Sequence, residues 1–262
     1  LPYPITEFQT TTVAPLPPGV YPYTVTDLND CTINDTIIIT QPDSLYTGYT
    51  TGDYNGFEIS CHGYNNGEID ILPTGGTPPF ENYLDGILQG NLISNNLFAG
   101  TYTNSIVDGN GCIATNTIIL TEPTELSSTL TPFNISCNGF CDGEIISNIS
   151  GGVLPYSYLW SNLQITDTAV GLCTGNYSLL VTDMNNCIED VQAIISEPPV
   201  ISVSDSTANI TTYGGTDGYI YISSSGGSGL LSTNWTSING FTSTIEDILN
   251  LSASTYYLEI TD

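Results

Sequence analysis

The chain has 262 residues, of which 27 are Asp or Glu, one is His and none is Lys or Arg, for a formal charge of −27. A chain without basic side chains cannot neutralise phosphates along a nucleic acid or supply the lysine of a phosphate-cradling loop, and Schiff-base chemistry and arginine-assisted phosphoryl transfer are excluded with them. Charged residues make up only 10% and apolar ones 40%, so the chain has lost bases rather than gained acids and carries enough apolar surface for packed cores.

Laid against itself, the chain repeats every 75 to 81 residues. The segment ends Thr40-Gln41-Pro42, Thr121-Glu122-Pro123 and Ser196-Glu197-Pro198 keep this period, as do the glycine pairs 75/76, 151/152 and 226/227. Ile59-Ser60-Cys61 and Ile135-Ser136-Cys137 are 76 apart, and each is followed by Gly-Glu-Ile. Asp27, Asp108, Asp183 and Asp262 each close a segment that begins at Tyr21, Tyr102, Tyr177 or Tyr256. The markers divide the chain into a partial repeat at 1–42, whole repeats at 43–123 and 124–198, and a nearly whole one at 199–262. Such a division is expected of a window on a longer tandem array.

Within a repeat the local signals are all β. In the third, Glu144 to Ser150 reads as a strand, Gly151-Gly152 as a turn, and Tyr156 to Trp160 as a strand carrying the large aromatic, with Leu84 and Trp235 in the same phase. Tyr177, Leu179 and Val181 then alternate with Ser178, Leu180 and Thr182 before a polar turn, which predicts a hairpin. About seven short strands per repeat, with the Gly-x-Tyr opening of a tyrosine corner, predict an all-β chain of tandem immunoglobulin-like antiparallel β-sandwich repeats forming an extended rod. No stretch sustains a helical period, and no run of about 18 apolar residues suggests a membrane span.

Seven Cys without a Cys-x-x-Cys framework point to disulfides and an oxidising, extracellular setting. On the simplest strand order Cys141, in the first connecting loop, and Cys173, before the penultimate strand, lie at one end of the sandwich, so a bond between them is expected.

Ile135-Ser136-Cys137-Asn138-Gly139, Asp142-Gly143, Gly151-Gly152, Pro155-Tyr156-Ser157-Tyr158, Trp160-Ser161, Gly175-x-Tyr177, Val181-Thr182-Asp183, Cys187 and Glu197-Pro198 resemble the SprB-type repeat of giant cell-surface proteins of gliding Bacteroidota. The resemblance covers 124–198 nearly throughout, 43–123 well and the outer repeats in part. It implies a stalk segment of a secreted adhesin filament, exported by type IX secretion and serving attachment and gliding motility. The implied partners are other repeats of the same long chain, the outer-membrane gliding or secretion machinery, and external surfaces or polysaccharide bound through other parts of the chain. Proline after the last strand restricts the backbone, so neighbouring repeats are expected to meet with limited freedom.

The resemblance also implies the pairs Cys61 with Cys112 and Cys137 with Cys187, leaving Cys31 to an absent part of its own repeat. The simplest strand order opposes this. It separates Cys137 from Cys187 by a strand of about eight residues, on the order of 25 Å, whereas a disulfide needs Cα atoms within about 7 Å. A bond between repeats, such as Cys61 with Cys187, is the alternative, and both remain open at this point.

Catalytic residues are not found. His62, the only imidazole, follows Cys61 directly and is matched by Asn138 in the next repeat, so it reads as a loop histidine. Asp27, Asp108, Asp183 and Asp262 allow a calcium reading, since hard cations want several carboxylate and carbonyl oxygens. The turn residues after them favour the plainer role of accepting backbone N–H bonds in a tight hairpin. No other cofactor is implied. Asp35-Thr36-Ile37, Asp43-Ser44-Leu45, Asp167-Thr168-Ala169 and Asp205-Ser206-Thr207 resemble the O-glycosylation motif of this bacterial group, which makes Thr36, Ser44, Thr168 and Ser206 candidate sites. The Asn-x-Ser/Thr sequons read as incidental. Two other classes of function are a static surface layer or sheath of laterally packed repeats, and an array of carbohydrate-binding modules using exposed Tyr.

Overall fold

The structure is a computed structural model that describes residues 15–262, so residues 1–14 of the first partial repeat lie outside the described residues. Among the described residues every regular element is a β-strand and every pairing is antiparallel. The chain divides into two compact units, one of residues 15–52 and 65–121, the other of Asp53–Tyr64 with Glu122–Asp262.

In the first unit, Gly19–Thr26 and Thr32–Ile39 form a two-stranded hairpin. The second repeat follows with seven strands. Tyr46–Thr51, Gly67–Thr74 and Ile93–Leu97 make one sheet, and Ile87–Leu88, Glu81–Leu84, Gly100–Val107 and Ile113–Leu120 make the other. In the second unit, the third repeat pairs Ser127–Phe133, Gly143–Ser150 and Thr168–Leu172 in one sheet and Ser157–Trp160, Gly175–Thr182 and Ile188–Ile195 in the other. This is the immunoglobulin-like order, with the first two strands joined by the one before the tyrosine corner. The fourth repeat repeats it from Ser202–Ala208 to Tyr256–Thr261.

Alternation drives the packing. Leu179 and Val181 point inward and are wholly buried, with Ile145, Trp160, Ala169, Leu172 and Ile195 around them. Each Leu, Ile or Val among them contributes about 1.5–3 kcal/mol by leaving water. The indole N–H of Trp160 donates to the Thr166 carbonyl (2.9 Å), and that of Trp235 to the Glu246 carbonyl (3.1 Å), so each large aromatic is buried without an orphaned donor. The second repeat departs from this. Its Asn104, buried in the register of Leu179, accepts from Thr47 Oγ1 (2.9 Å) and donates to Asn82 Oδ1 (2.6 Å). Asn82 in turn donates to the Asn91 carbonyl (3.0 Å), which makes a connected polar interior.

Tyrosine corners form at the three Gly-x-Tyr openings and also at Tyr256, which lacks the glycine. Tyr21, Tyr102, Tyr177 and Tyr256 donate their hydroxyls to the carbonyls of Pro17, Phe98, Cys173 and Ser252, each four residues upstream.

The glycine pairs have a physical cause. Gly75, Gly151 and Gly226 have positive φ, and a Cβ on them would lie 2.1, 1.8 and 2.1 Å from the carbonyl oxygens of Ser44, Glu125 and Val200. The second glycine of each pair donates its N–H to Asp43, Thr124 or Pro199 (2.8–2.9 Å). A Cβ there would press on the carboxylate of Asp108, Asp183 or Asp262. The pair is thus the turn on which linker and acid both close, and only residues without a Cβ fit.

Candidate functional site

The Asp residues that end the penultimate strands build the walls of the site. Asp183 Oδ1 accepts the N–H groups of Asn185 and Cys187 (both 2.8 Å), and its Oδ2 accepts that of Val153 (2.8 Å), beside the glycine turn. Asp108 does the same with Asn110 (3.0 Å), Cys112 (2.8 Å) and Thr77 (2.9 Å). Burial opposes ionisation of Asp108, but the N–H groups of Cys112, Thr77 and Asn110 outweigh it and hold its carboxyl below the ordinary value. Asp27 accepts from Asn29 and Cys31 (2.8 Å each), and Asp262 accepts from the Ser228 N–H and hydroxyl, which lower its pKa. Each carboxylate is therefore engaged with backbone of its own repeat. Among the described residues no three His, Cys, Asp or Glu side chains gather to hold a metal ion.

Against this wall in the second unit lies the segment Asp53–Tyr64, which belongs by sequence to the second repeat. Cys61 is bonded to Cys187 with Cα atoms 5.7 Å apart, and both side chains are part of the core of the third repeat. The Asn185 amide nitrogen donates to the carbonyls of Tyr54 (3.1 Å) and Ser60 (2.9 Å), while Asn55 donates to Asn185 Oδ1 (2.6 Å). The linker glutamate closes the other side: Glu122 Oε2 accepts the Gly63 N–H (2.7 Å), and Oε1 lies 3.1 Å from His62 Nδ1.

This corrects the pairing implied by the resemblance. Cys61 is joined to Cys187 and not to Cys112, and Cys31, Cys112 and Cys137 are free thiols. The reason is strand length: the first loop and the last hairpin turn of one repeat lie at opposite ends of its sandwich, whereas the loop of one repeat meets the hairpin turn of the next. The bond between Cys141 and Cys173, with Cα atoms 3.9 Å apart, joins two loops at one end.

The loop design recurs at 134–142. Gly139 N–H donates to Glu197 Oε2 (3.0 Å) and Asn138 Nδ2 to the Pro198 carbonyl (3.0 Å), as Gly63 does to Glu122. Ser136 donates from both N–H (3.0 Å) and hydroxyl (2.6 Å) to Asp142, and Thr211 does so to Asp217, which lowers the pKa of both acids. This Ser/Thr-to-Asp clasp was missed in the sequence, although its signal, a hydroxyl six residues before an Asp-Gly, is present in both repeats.

His62 follows the disulfide-bonded Cys61 and faces the carboxylate of Glu122. Thr36, Ser44 and Ser206 are exposed and Thr168 is half-buried. A cavity bounded by Ala208, Gly218, Leu251 and Tyr256 of the fourth repeat matches the seat of strand Ile188–Ile195 in the third, so it is a strand seat in form.

Residues 58–86 and 129–164 match the family model of the SprB repeat. Two segments of the chain are thus similar to the SprB repeat. The matched segments run from the Ile-Ser-Cys loop past Leu84 in the second repeat and from the first strand past Trp160 in the third. Comparison with the curated proteins gives no match. Among solved structures, a crystal structure described as a tetra-tandem repeat in the extending region of a large adhesion protein is similar at 10% identity. It covers 91% of this chain and 71% of that one, with a TM-score of 0.27.

Proposed function

We propose that the chain is a non-catalytic stalk segment of a large secreted cell-surface adhesin filament, which holds a binding tip away from the cell and transmits force during attachment and gliding. The observation that carries this reading is the bond from Cys61 to Cys187, which ties a loop of one repeat into the core of the next. Tension along the chain then passes between these repeats through a covalent link rather than through strand pairs alone. The bond also favours an oxidising, extracellular location. No cofactor enters the reading, because the turn acids are satisfied by backbone N–H groups. Its partners are further repeats of the same chain, the outer-membrane gliding and type IX secretion machinery, and external surfaces met by other parts of the chain. Thr36, Ser44, Thr168 and Ser206 are its candidate glycosylation sites.

The test is to label the repeats on live cells with a monovalent fluorescent antibody fragment. Spots that travel along gliding cells are expected. Spots that stay fixed while cells glide would instead indicate a static surface layer.

A further inference from the structure

We propose that the cleft of the first unit walled by residues 41–45, Gly76 and the turn from Asp108 to Cys112 is a receptor for the Ile-Ser-Cys loop of another repeat, sealed by a disulfide to Cys112. The inference concerns how repeats join and goes beyond the adhesin reading, since it stands on the geometry of two matching walls.

The first wall is filled. In the third repeat, Glu122, Leu126, Asn185 and Cys187 all engage the segment Asp53–Tyr64, through the Gly63 N–H, the Cys61 side chain, the Tyr54 and Ser60 carbonyls, and a disulfide. The second wall has Gln41 where the first has Glu122, otherwise carries the same groups in the same register, and is open. Gln41, Leu45, Asn110 and Cys112 line a cleft of about 400 Å³ together with Gly76 and Asp108. The acid is set identically, accepting from Asn110, Cys112 and Thr77. What differs are the groups that a loop would cover. Cys112 is an exposed free thiol where Cys187 is 7% exposed, Leu45 is half-buried where Leu126 is 8% exposed, and the Asn110 amide turns to Thr77 Oγ1 (2.9 Å).

The occupant is identified by what the wall offers. An amide whose counterpart Asn185 donates to two backbone carbonyls, a Gln41 side-chain oxygen where Glu122 accepts a glycine N–H, and a thiol together match a loop of the form Ile-Ser-Cys-x-Gly. The chain holds a second such loop, Ile135-Ser136-Cys137-Asn138-Gly139, with Cys137 free. That loop lines a cleft with Gly227 and Asp262, the glycine and acid of the following repeat, so the arrangement of loop against next wall occurs twice in the second unit. Closure at Cys112 joins two thiols into one S–S bond and passes two protons and two electrons to a disulfide-bearing oxidant.

The test uses the whole chain and a synthetic peptide of residues 53–64 whose cysteine is activated as a mixed disulfide with pyridine-2-thiol. The Cys112 thiolate attacks the peptide sulfur and releases pyridine-2-thione. Cys31, exposed in the matching turn after Asp27 but paired in the described residues only within its hairpin, is the internal control. With each rate divided by that for iodoacetamide, Cys112 is expected to react about tenfold or more faster than Cys31, through the raised local concentration of a docked peptide. A scrambled peptide and the exposed-site variant Asn110→Ala are expected to lose that preference. Equal corrected rates at Cys112 and Cys31, or an undiminished preference with the scrambled peptide, would overturn the proposal. Neither outcome bears on whether the filament adheres or moves.

Discussion

Cys187 is bonded to Cys61, 126 residues earlier in the chain, yet it is placed by Asp183, only four residues before it, whose Oδ1 accepts the Cys187 N–H at 2.8 Å. The cross-repeat link is therefore built from local parts: a hairpin turn clamped by its own acid, and a loop clamped by its own linker glutamate.

Removing the link should loosen the third repeat. Cys61→Ser is expected to destabilise it by about 4 kcal/mol, a disulfide that closes a long loop being in the upper part of the usual range. Denaturant unfolding followed by Trp160 fluorescence in a Trp235→Phe background measures this. Cys112→Ser, at an exposed free thiol, should leave the transition where it is.

The glycine pair gives a steric contrast. Gly151→Ala places a Cβ 1.8 Å from the Glu125 carbonyl oxygen, so the linker must move, whereas Gly139, also at positive φ, has nothing within 4 Å of such an atom. Gly139→Ala should cost only the left-handed backbone penalty of about 1–2 kcal/mol, and Gly151→Ala distinctly more. Thermal unfolding of the two variants checks the order.

Stability should fall in acid in a way that Asp142 partly controls. The Ser136 hydroxyl and N–H hold its folded pKa below the ordinary 3.8. Its contribution is thus complete above that value and is lost as the pH falls through the lower folded pKa. Protonation elsewhere relieves self-repulsion of the −27 charge and works in the opposite direction. The difference between the parent and Asp142→Asn isolates the clasp. It should be largest near neutral pH and shrink below about pH 4, as measured by urea unfolding from pH 6 to pH 2.

Tyr177→Phe removes a hydroxyl that donates to the Cys173 carbonyl at 3.1 Å. A loss of about 1 kcal/mol is expected, with hydrogen exchange rising first around residues 173–177.

The sandwich was legible because its signals are local. Leu179 and Val181 alternate with solvent-facing neighbours, Trp160 recurs in phase with Trp235, and Tyr177 announces its corner. The bond from Cys141 to Cys173 followed from which strand ends share a side. The partner of Cys61 did not follow, because period-two patterning fixes where a strand faces and says nothing about which repeat a connecting loop leans on. The polar interior at Asn104 was also hidden, since an Asn in a strand looks solvent-facing until Thr47 and Asn82 are brought to it. The glycine pairs were visible as markers, but their cause, the approach of the Ser44, Glu125 and Val200 carbonyls, lies in contacts with residues about 25 to 30 positions away.

Single-molecule pulling on the chain from its two ends tests the account most directly. If Cys61 and Cys187 join successive repeats, the oxidised chain keeps the span of 126 residue steps between them out of the extension. It should then stretch roughly 400–450 Å less than the reduced chain, at about 3.3–3.6 Å per residue. Equal extension before and after reduction would contradict the cross-repeat link on which the proposed stalk role rests.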